Sequence, residues 1–198
     1  MCLLLETIKL ENGKLANLEY HQQRFDWARQ QYTEVQPLKL KEIIDIPEHA
    51  GKGLFRCRIT YGKTIEKIEF IPYQFREIRS LKVVHDDSID YTYKYADRSH
   101  LQKLFDQRED CDDIIIVKNE KVTDSFTGNL LFHDGSKWIT PDQPLLKGTQ
   151  RQYLLDTKQI IEKQLLFKDI FNYRVVGIIN VFYTLNNMPV VKNIKIKK

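Results

Sequence analysis

The chain has 198 residues, 42% hydrophobic and 29% charged, with a net charge of +4, which suits one large globular domain or two small ones. Part of the positive charge lies in the tail KNIKIKK (Lys192 to Lys198), read as a solvated terminus, so no nucleic-acid partner is expected. Cys2, Cys57 and Cys111 without a C-x-x-C spacing, and scattered histidines at His21, His49, His85, His100 and His133, point to reduced thiols and no metal site. The start MCLLLETIKLENGK lacks the basic region and apolar length of a signal peptide, and no run could span a bilayer, so a cytoplasmic protein with no membrane partner is expected.

Residues 3 to 17 predict two strands around Asn12-Gly13, a strong hairpin signal. LEYHQQRFDWARQQY (18 to 32) carries Leu18, Phe25, Trp27 and Ala28 at helical spacing, and a second helical stretch is expected around Leu38 to Ile46, between Pro37 and Pro47. GLFRCRITYG and KTIEKIEFIPY (53 to 73) alternate as another hairpin. QFREIRS (74 to 80) reads as a linker, LKVV (81 to 84) as a strand, and YKYADRSHLQKLFDQRED (93 to 110) as a helix through Leu101, Leu104 and Phe105. Two hairpins follow: DIIIVKNEKVTD turning at Lys118 to Lys121, and NLLFHDGSKWITP turning at Asp134-Gly135. Gly148 opens an amphipathic helix, TQRQYLLDTKQIIEKQL (149 to 165), and alternating segments close the chain. Strands grouped in hairpins disfavour a parallel doubly wound sheet. The expectation is α+β with two lobes, a small one over 1–77 and a larger one over 78–198.

Glycine-rich phosphate loops, H-E-x-x-H and G-x-S-x-G are all missing from the sequence. Four local features remain, each ordinary when taken singly. Lys94 between two tyrosines reads as a surface lysine, Arg24 as a solvated helix face, Gly148 as a helix start, and Asp124 in VTDSFTGNLLF as a turn former.

Taken together and in order, YKYADRSHL, DIIIVKNEKVTDSFTGNLLF, KWITPDQPLLKGTQRQ and GIINVF resemble the class IV aminotransferase family, which includes branched-chain and D-amino-acid aminotransferases and 4-amino-4-deoxychorismate lyase. Lys94, Asp97 and Arg98, then Asp124, Asn129, Leu130 and Phe132, then Thr140, Pro141, Leu145, Leu146, Gly148 and Arg151 fall in the family's register. In the first lobe the Asn12-Gly13 turn and the His21-x-x-Arg24 helix match as well.

The resemblance implies a two-lobe D-amino-acid aminotransferase-like fold that binds pyridoxal 5′-phosphate as a Schiff base on Lys94. The freed lysine then serves as general base and acid, with Lys94 in the larger lobe. It implies Asp124 as the carboxylate partner of the ring nitrogen, Gly148, Thr149 and Gln150 as backbone donors to the phosphate, and Arg24 as its cation. A second backbone turn on the phosphate corresponds to Asn180 and Val181, a looser match. A small-molecule amino substrate and a homodimer are likewise implied, both subunits contributing to the family's site.

Two departures stand out. Asp124 replaces the family's usual Glu with a carboxylate one methylene shorter. The first lobe is also shortened, lacking the family's N-terminal segment and part of the lobe interior. The Lys-x-x-Asp-Arg form at Lys94 to Arg98 and Ile179-Asn180 lean towards the lyase, which eliminates pyruvate to leave 4-aminobenzoate for folate synthesis. The alternative is a transaminase for branched-chain or D-amino acids. A non-catalytic binding protein of the same fold is a further reading, with the shortened lobe as its warning. Arg56 and Arg58 repeat on one strand face and could bind a substrate carboxylate; a pair of strand-surface arginines is the plainer reading.

Overall fold

A computed structural model describes residues 2–33, 35–192 and 196–197. The chain packs as two units, Met1–Phe75 with Tyr93–Asp97, and Arg76–Thr92 with Arg98–Lys198. The sequence divides the chain nearby but assigns Lys94 to the second lobe. Its segment belongs with the first unit because it runs beside the first strand: Leu5 N–H donates to Lys94 C=O (3.0 Å), Ala96 N–H donates to Leu3 C=O (2.8 Å), and Leu4 pairs with Tyr95. That pairing also delays the start of the helix expected over 93 to 110, so that helix α3 runs only over Ser99–Phe105 before a 3-10 turn at Asp106–Arg108.

The first unit is an antiparallel sheet in the order β2-β1-β3-β4, built from β1 (Leu4–Glu11), β2 (Lys14–Leu15), β3 (Leu54–Tyr61) and β4 (Ile65–Pro72). Asn12 and Gly13 both take positive φ (49° and 76°), as the two-residue hairpin turn requires. Helix α1 (Leu18–Arg29) lays Phe25 and Ala28 on the sheet face that carries Leu4, Ile8, Cys57, Ile59 and Tyr61. Each such aliphatic side chain contributes about 1.5–3 kcal/mol by leaving water. Trp27 falls outside that core; it is 40% exposed and stacks on Tyr93 with ring centroids 4.8 Å apart. The second helical stretch is a single turn, α2 (Leu40–Ile43), whose Leu40 N–H donates to the Gln22 side chain.

The second unit holds two sheets. One runs β13-β5-β6-β7, from β5 (Leu81–His85), β6 (Asp113–Lys118), β7 (Lys121–Val122) and β13 (Ile196–Lys197). The other runs β10-β9-β8-β11-β12, from β8 (Asn129–His133), β9 (Trp138–Pro141), β10 (Ile161–Lys163), β11 (Val175–Ile179) and β12 (Val190–Lys192). Strand β8 is apolar on both faces. Leu130 and Phe132 enter the core shared with Ile115 and Val117, while Leu131 meets Leu154 of helix α4 (Thr149–Asp156). A continuous apolar run therefore marks a strand covered on both sides.

Two further expectations need correcting. The helix from Gly148 stops at Asp156, where Lys158 turns left-handed (φ 56°), Gln159 N–H donates to Leu154 C=O and Lys158 N–H donates to Leu155 C=O. This C-terminal cap is commonly built on glycine, so a lysine there hides it, and Ile161–Lys163 becomes a strand parallel to β9. The basic tail is only partly solvated: Ile196 is buried in β13, parallel to β5, while 193–195 and 198 lie outside the described residues.

Candidate active site

The hairpin of β6 and β7 delivers Asp124 into the interior of the second unit, where it is 5% exposed. Asn129 Nδ2 donates to its Oδ1 (2.8 Å) and Leu146 N–H to its Oδ2 (2.9 Å). Burial pushes this carboxyl up to about 7, against the opposing pull of those two bonds and of the Arg151 charge. No side-chain cation among the described residues is bonded to it. Leu145 N–H also acts on this carboxyl, which is thus a buried acid held by amide donors with no bonded cation.

Between Asp124 and Asn129, which bridge one another, the chain makes a tight turn closed by Ser125 N–H on Gly128 C=O (2.9 Å). Asp113 holds that turn, accepting from Phe126 N–H (3.1 Å) and from the Thr127 hydroxyl (2.8 Å). Asn180 Nδ2 donates to Thr127 C=O (3.0 Å), and its Oδ1 caps Phe182 and Tyr183 N–H, so Asn180 and Val181 form a turn against the same loop. Gly128 must be glycine, since a Cβ there would lie 2.2 Å from Ile179 O.

Gly148 is fixed for the same kind of reason: a Cβ would lie 2.0 Å from Asn129 Oδ1. Asn129 therefore joins Asp124 to the start of α4, where Thr149 and Gln150 are buried. Helix geometry points the first N–H groups out ahead of the axis, the usual setting for an anion. Arg151 does different work. It bonds Thr140 Oγ1 (3.2 Å), Pro141 C=O (2.8 Å) and Glu162, fastening the end of β9 to the helix. The second unit thus brings together Asp124, Gly148, Thr149, Gln150, Asn180 and Val181.

In the first unit, Lys94 has a left-handed backbone (φ 56°), uncommon for a side chain of its type and outside any hairpin turn or helix cap. Arg24 donates through Nε to Glu6 Oε1 (2.9 Å) and through Nη2 to Glu6 Oε2 (2.6 Å), and His21 Nδ1 lies 2.6 Å from Oε2. Burial would push the Glu6 carboxyl up, but the Arg24 charge and the bonds from His21 and Arg24 outweigh it and hold it at about 2. The ionised carboxylate can only accept, so His21 Nδ1–H is the donor. Burial lowers the His21 pKa, despite its bond to Glu6.

Arg56 and Arg58 lie on the sheet face opposite Cys57 and Ile59, across from Lys9 and Thr7. Arg56 sits over the Tyr73 ring (5.4 Å), and the Nε of each arginine is buried with no hydrogen-bond partner. Glu6, which holds Arg24, and Asp113, which holds the turn at Phe126 and Thr127, are contacts that sequence reading passes over. For Glu6 a signal existed: LLETIKL alternates, and Glu6 falls on the apolar side with Leu4 and Ile8. Among the described residues no cluster of three or more His, Cys, Asp or Glu could hold a metal ion, and no helix is long and apolar enough to cross a membrane.

Comparison with known proteins now bears on these two sets of residues. The amino-transferase class IV family matches residues 3–182. An uncharacterised protein of Haemophilus influenzae is 42% identical over 180 residues, 89% of this chain and 96% of that one. A crystal structure from Haemophilus somnus, provisionally described as a 4-amino-4-deoxychorismate lyase, is 39% identical with a TM-score of 0.88, covering 93% of this chain and 98% of that one. The branched-chain amino acid aminotransferase of Escherichia coli, 14% identical with a TM-score of 0.72, shares the fold over 100% of this chain and 79% of its own. The chain belongs to the class IV aminotransferase family of pyridoxal-phosphate-dependent enzymes, with that family's mixed α+β fold.

Proposed function

We propose that this protein is a pyridoxal 5′-phosphate enzyme that acts on an amino substrate, and that its reaction is elimination of pyruvate from 4-amino-4-deoxychorismate to give 4-aminobenzoate. The observation that carries the cofactor reading is Asp124, a fully buried carboxyl raised to about 7 and bonded to no cation. The residues present fit the cofactor. Asp124 would accept from the protonated ring nitrogen, while Thr149 and Gln150 N–H at the start of α4, the Asn180-Val181 turn and the Arg24 guanidinium would hold the phosphate. The cofactor supplies an electron sink for the carbon next to the substrate nitrogen.

Lys94 would hold the cofactor and, with its Nζ free, would serve as the group that moves the proton. Its Nζ would take the proton from the carbon bearing the amino group and return it to the departing enolpyruvyl group. Arg56 and Arg58 would receive a substrate carboxylate; their unpartnered Nε–H groups support that use. The lyase is favoured over a transaminase by the likeness to the Haemophilus somnus protein and by the Lys94-x-x-Asp97-Arg98 and Ile179-Asn180 forms. A cytoplasmic homodimer completes the reading, and sedimentation would test the dimer.

One preparation serves as the test. The purified protein mixed with pyridoxal phosphate should show a visible absorption band that Lys94→Ala abolishes, and should release pyruvate and 4-aminobenzoate from aminodeoxychorismate. A protein that takes up no cofactor sinks the enzyme reading and leaves a binding protein of this fold. Keto acid formed from an amino donor, without pyruvate elimination, replaces the lyase by a transaminase.

A further inference from the structure

We propose that Arg98 is a positioning residue that aims Asp124 by clamping the intervening turn through Phe126. The Phe126 backbone is held at both ends. Its N–H donates to Asp113 Oδ1 (3.1 Å), and its C=O accepts from Arg98 Nη2 (2.8 Å). Its ring is held as well. The Arg98 guanidinium lies 4.3 Å from the Phe126 centroid, and Phe105 stacks on the same ring at 4.2 Å and 23°. Arg108 packs 4.1 Å from the Phe105 ring, and Arg98 also approaches Tyr91 at 5.9 Å. The turn is thus built into a row of alternating cations and rings anchored on α3.

The clamp reaches Asp124 because the turn has Asp124 at one end and Asn129 at the other. Those two residues bridge through the backbone, and Asn129 Nδ2 is the donor on Asp124 Oδ1. Any loosening at Phe126 widens the turn and changes the distance between donor and carboxylate. Arginine suits the task because a planar guanidinium can stack on a ring and donate in its own plane at once, which an ammonium cannot. Arg98 Nε is buried and without a hydrogen-bond partner, and no carboxylate is paired with Arg98 among the described residues. Its polar bond goes to the turn and its cation faces the rings. Arg98 also stands four residues after Lys94, so one short segment carries the amine and the clamp on its acidic counterpart.

The catalytic consequence rests on Asp124 being the ring-nitrogen partner, whereas the clamp itself does not. The test uses the full chain as wild type, Arg98→Met, Arg98→Lys and Phe126→Leu, with Asp124→Asn to assign the carboxyl signal. In protein without cofactor, carbon NMR follows the Asp124 titration, and hydrogen exchange follows the amides of Phe126 to Gly128. Arg98→Met should move the Asp124 midpoint by about one pH unit and speed that exchange at least tenfold, with Arg98→Lys recovering part of both through its single donor. Phe126→Leu, which keeps the carbonyl contact and removes the stack, should lie between them and covers the case of a misfolded Arg98→Met.

With pyridoxal phosphate bound, kcat should fall roughly tenfold to a hundredfold with little change in KM. An Asp124 midpoint and amide exchange that stay at wild-type values in both Arg98→Met and Phe126→Leu would overturn the proposal. If the protein binds no pyridoxal phosphate, the cofactor reading fails, while the titration and exchange still decide the clamp.

Discussion

Arg24 meets Glu6 side-on, Nε to Oε1 at 2.9 Å and Nη2 to Oε2 at 2.6 Å, so both carboxylate oxygens are engaged by one guanidinium. The pair sets the plane of the guanidinium, and His21 takes the remaining lone pair of Oε2. Glu6 is wholly buried and Arg24 nearly so, and removing one member of such a pair strands the other. Glu6→Gln should therefore lose about 3 kcal/mol of stability in urea unfolding. Affinity for pyridoxal phosphate should weaken with it, because Arg24 loses its alignment. Wild-type cofactor affinity in a folded Glu6→Gln variant would remove Arg24 from the phosphate site.

The same cluster predicts the acid limb of stability. Glu6 has a folded pKa near 2, below its ordinary 4.5, and burial lowers that of His21 below 6.5. Both shifts are downward, so the unfolded chain takes up protons first and stability falls as pH falls. The His21 share is lost below about pH 6.5, and the Glu6 share, on the order of 3 kcal/mol, between about pH 5 and 2. Urea titrations across this range on wild type and on His21→Asn should differ mainly in the upper step.

Much of this fold is legible in local sequence, and the reasons for the rest are physical. Asn12-Gly13 and the Asn119-Glu120 turn (φ 48° and 62°) announce their hairpins because turn chemistry is local. The parallel pairs β5 with β6 and β13 with β5 join residues distant in sequence, and nothing local encodes them. The site divides in the same way. Lys94, Asp124 and Gly148 stand out only through their match to the family's register, whereas Asp113 is one acid in an apolar strand whose task shows only when Phe126 and Thr127 arrive against it. The strained backbone of Lys94 leaves no trace in composition at all.

Asp124 has the opposite pH signature. Its folded pKa is raised, so its contribution is complete below about pH 4 and lost as pH rises through about 7. Relative to Asp124→Asn, cofactor-free wild type should lose stability over that window, because the rising contributions of Glu6 and His21 are common to both proteins. Adding pyridoxal phosphate should restore wild type near neutral pH, since the ring N–H supplies the missing positive partner. An equal restoration of Asp124→Asn would mean that the cofactor stabilises the fold without touching this residue.

Gly148→Ala places a methyl 2.0 Å from Asn129 Oδ1, a contact that one of the two must abandon. Displacing Asn129 removes a donor from Asp124 and moves the first turn of α4. The expected cost is about 1–3 kcal/mol in thermal or urea unfolding, with cofactor affinity falling in parallel. Double substitution with Asn129→Ala should be less than additive, because the second change removes the atom that clashes.

The shorter carboxylate at Asp124 yields the sharpest prediction, since the structure is built to its length. Asn129 Nδ2 and Leu146 N–H already stand at 2.8 and 2.9 Å from its two oxygens, and the side chain is buried. The loop from Pro141 to Gly148 has closed on an Asp. Asp124→Glu, although it restores the acid usual in the family, must push the carboxylate past one of these donors or bend out of a relaxed rotamer. It should destabilise the cofactor-free protein by about 1–3 kcal/mol. It should also lower kcat more than it raises KM, because the ring nitrogen would meet a carboxylate at the wrong distance. Asp124→Asn keeps the size and removes the charge, so it should preserve cofactor uptake better than Asp124→Glu while losing turnover about a hundredfold or more. Asp124→Glu with wild-type stability and turnover would mean that the two donors move freely with the side chain, and that the length of the acid is not what this loop was shaped to fit.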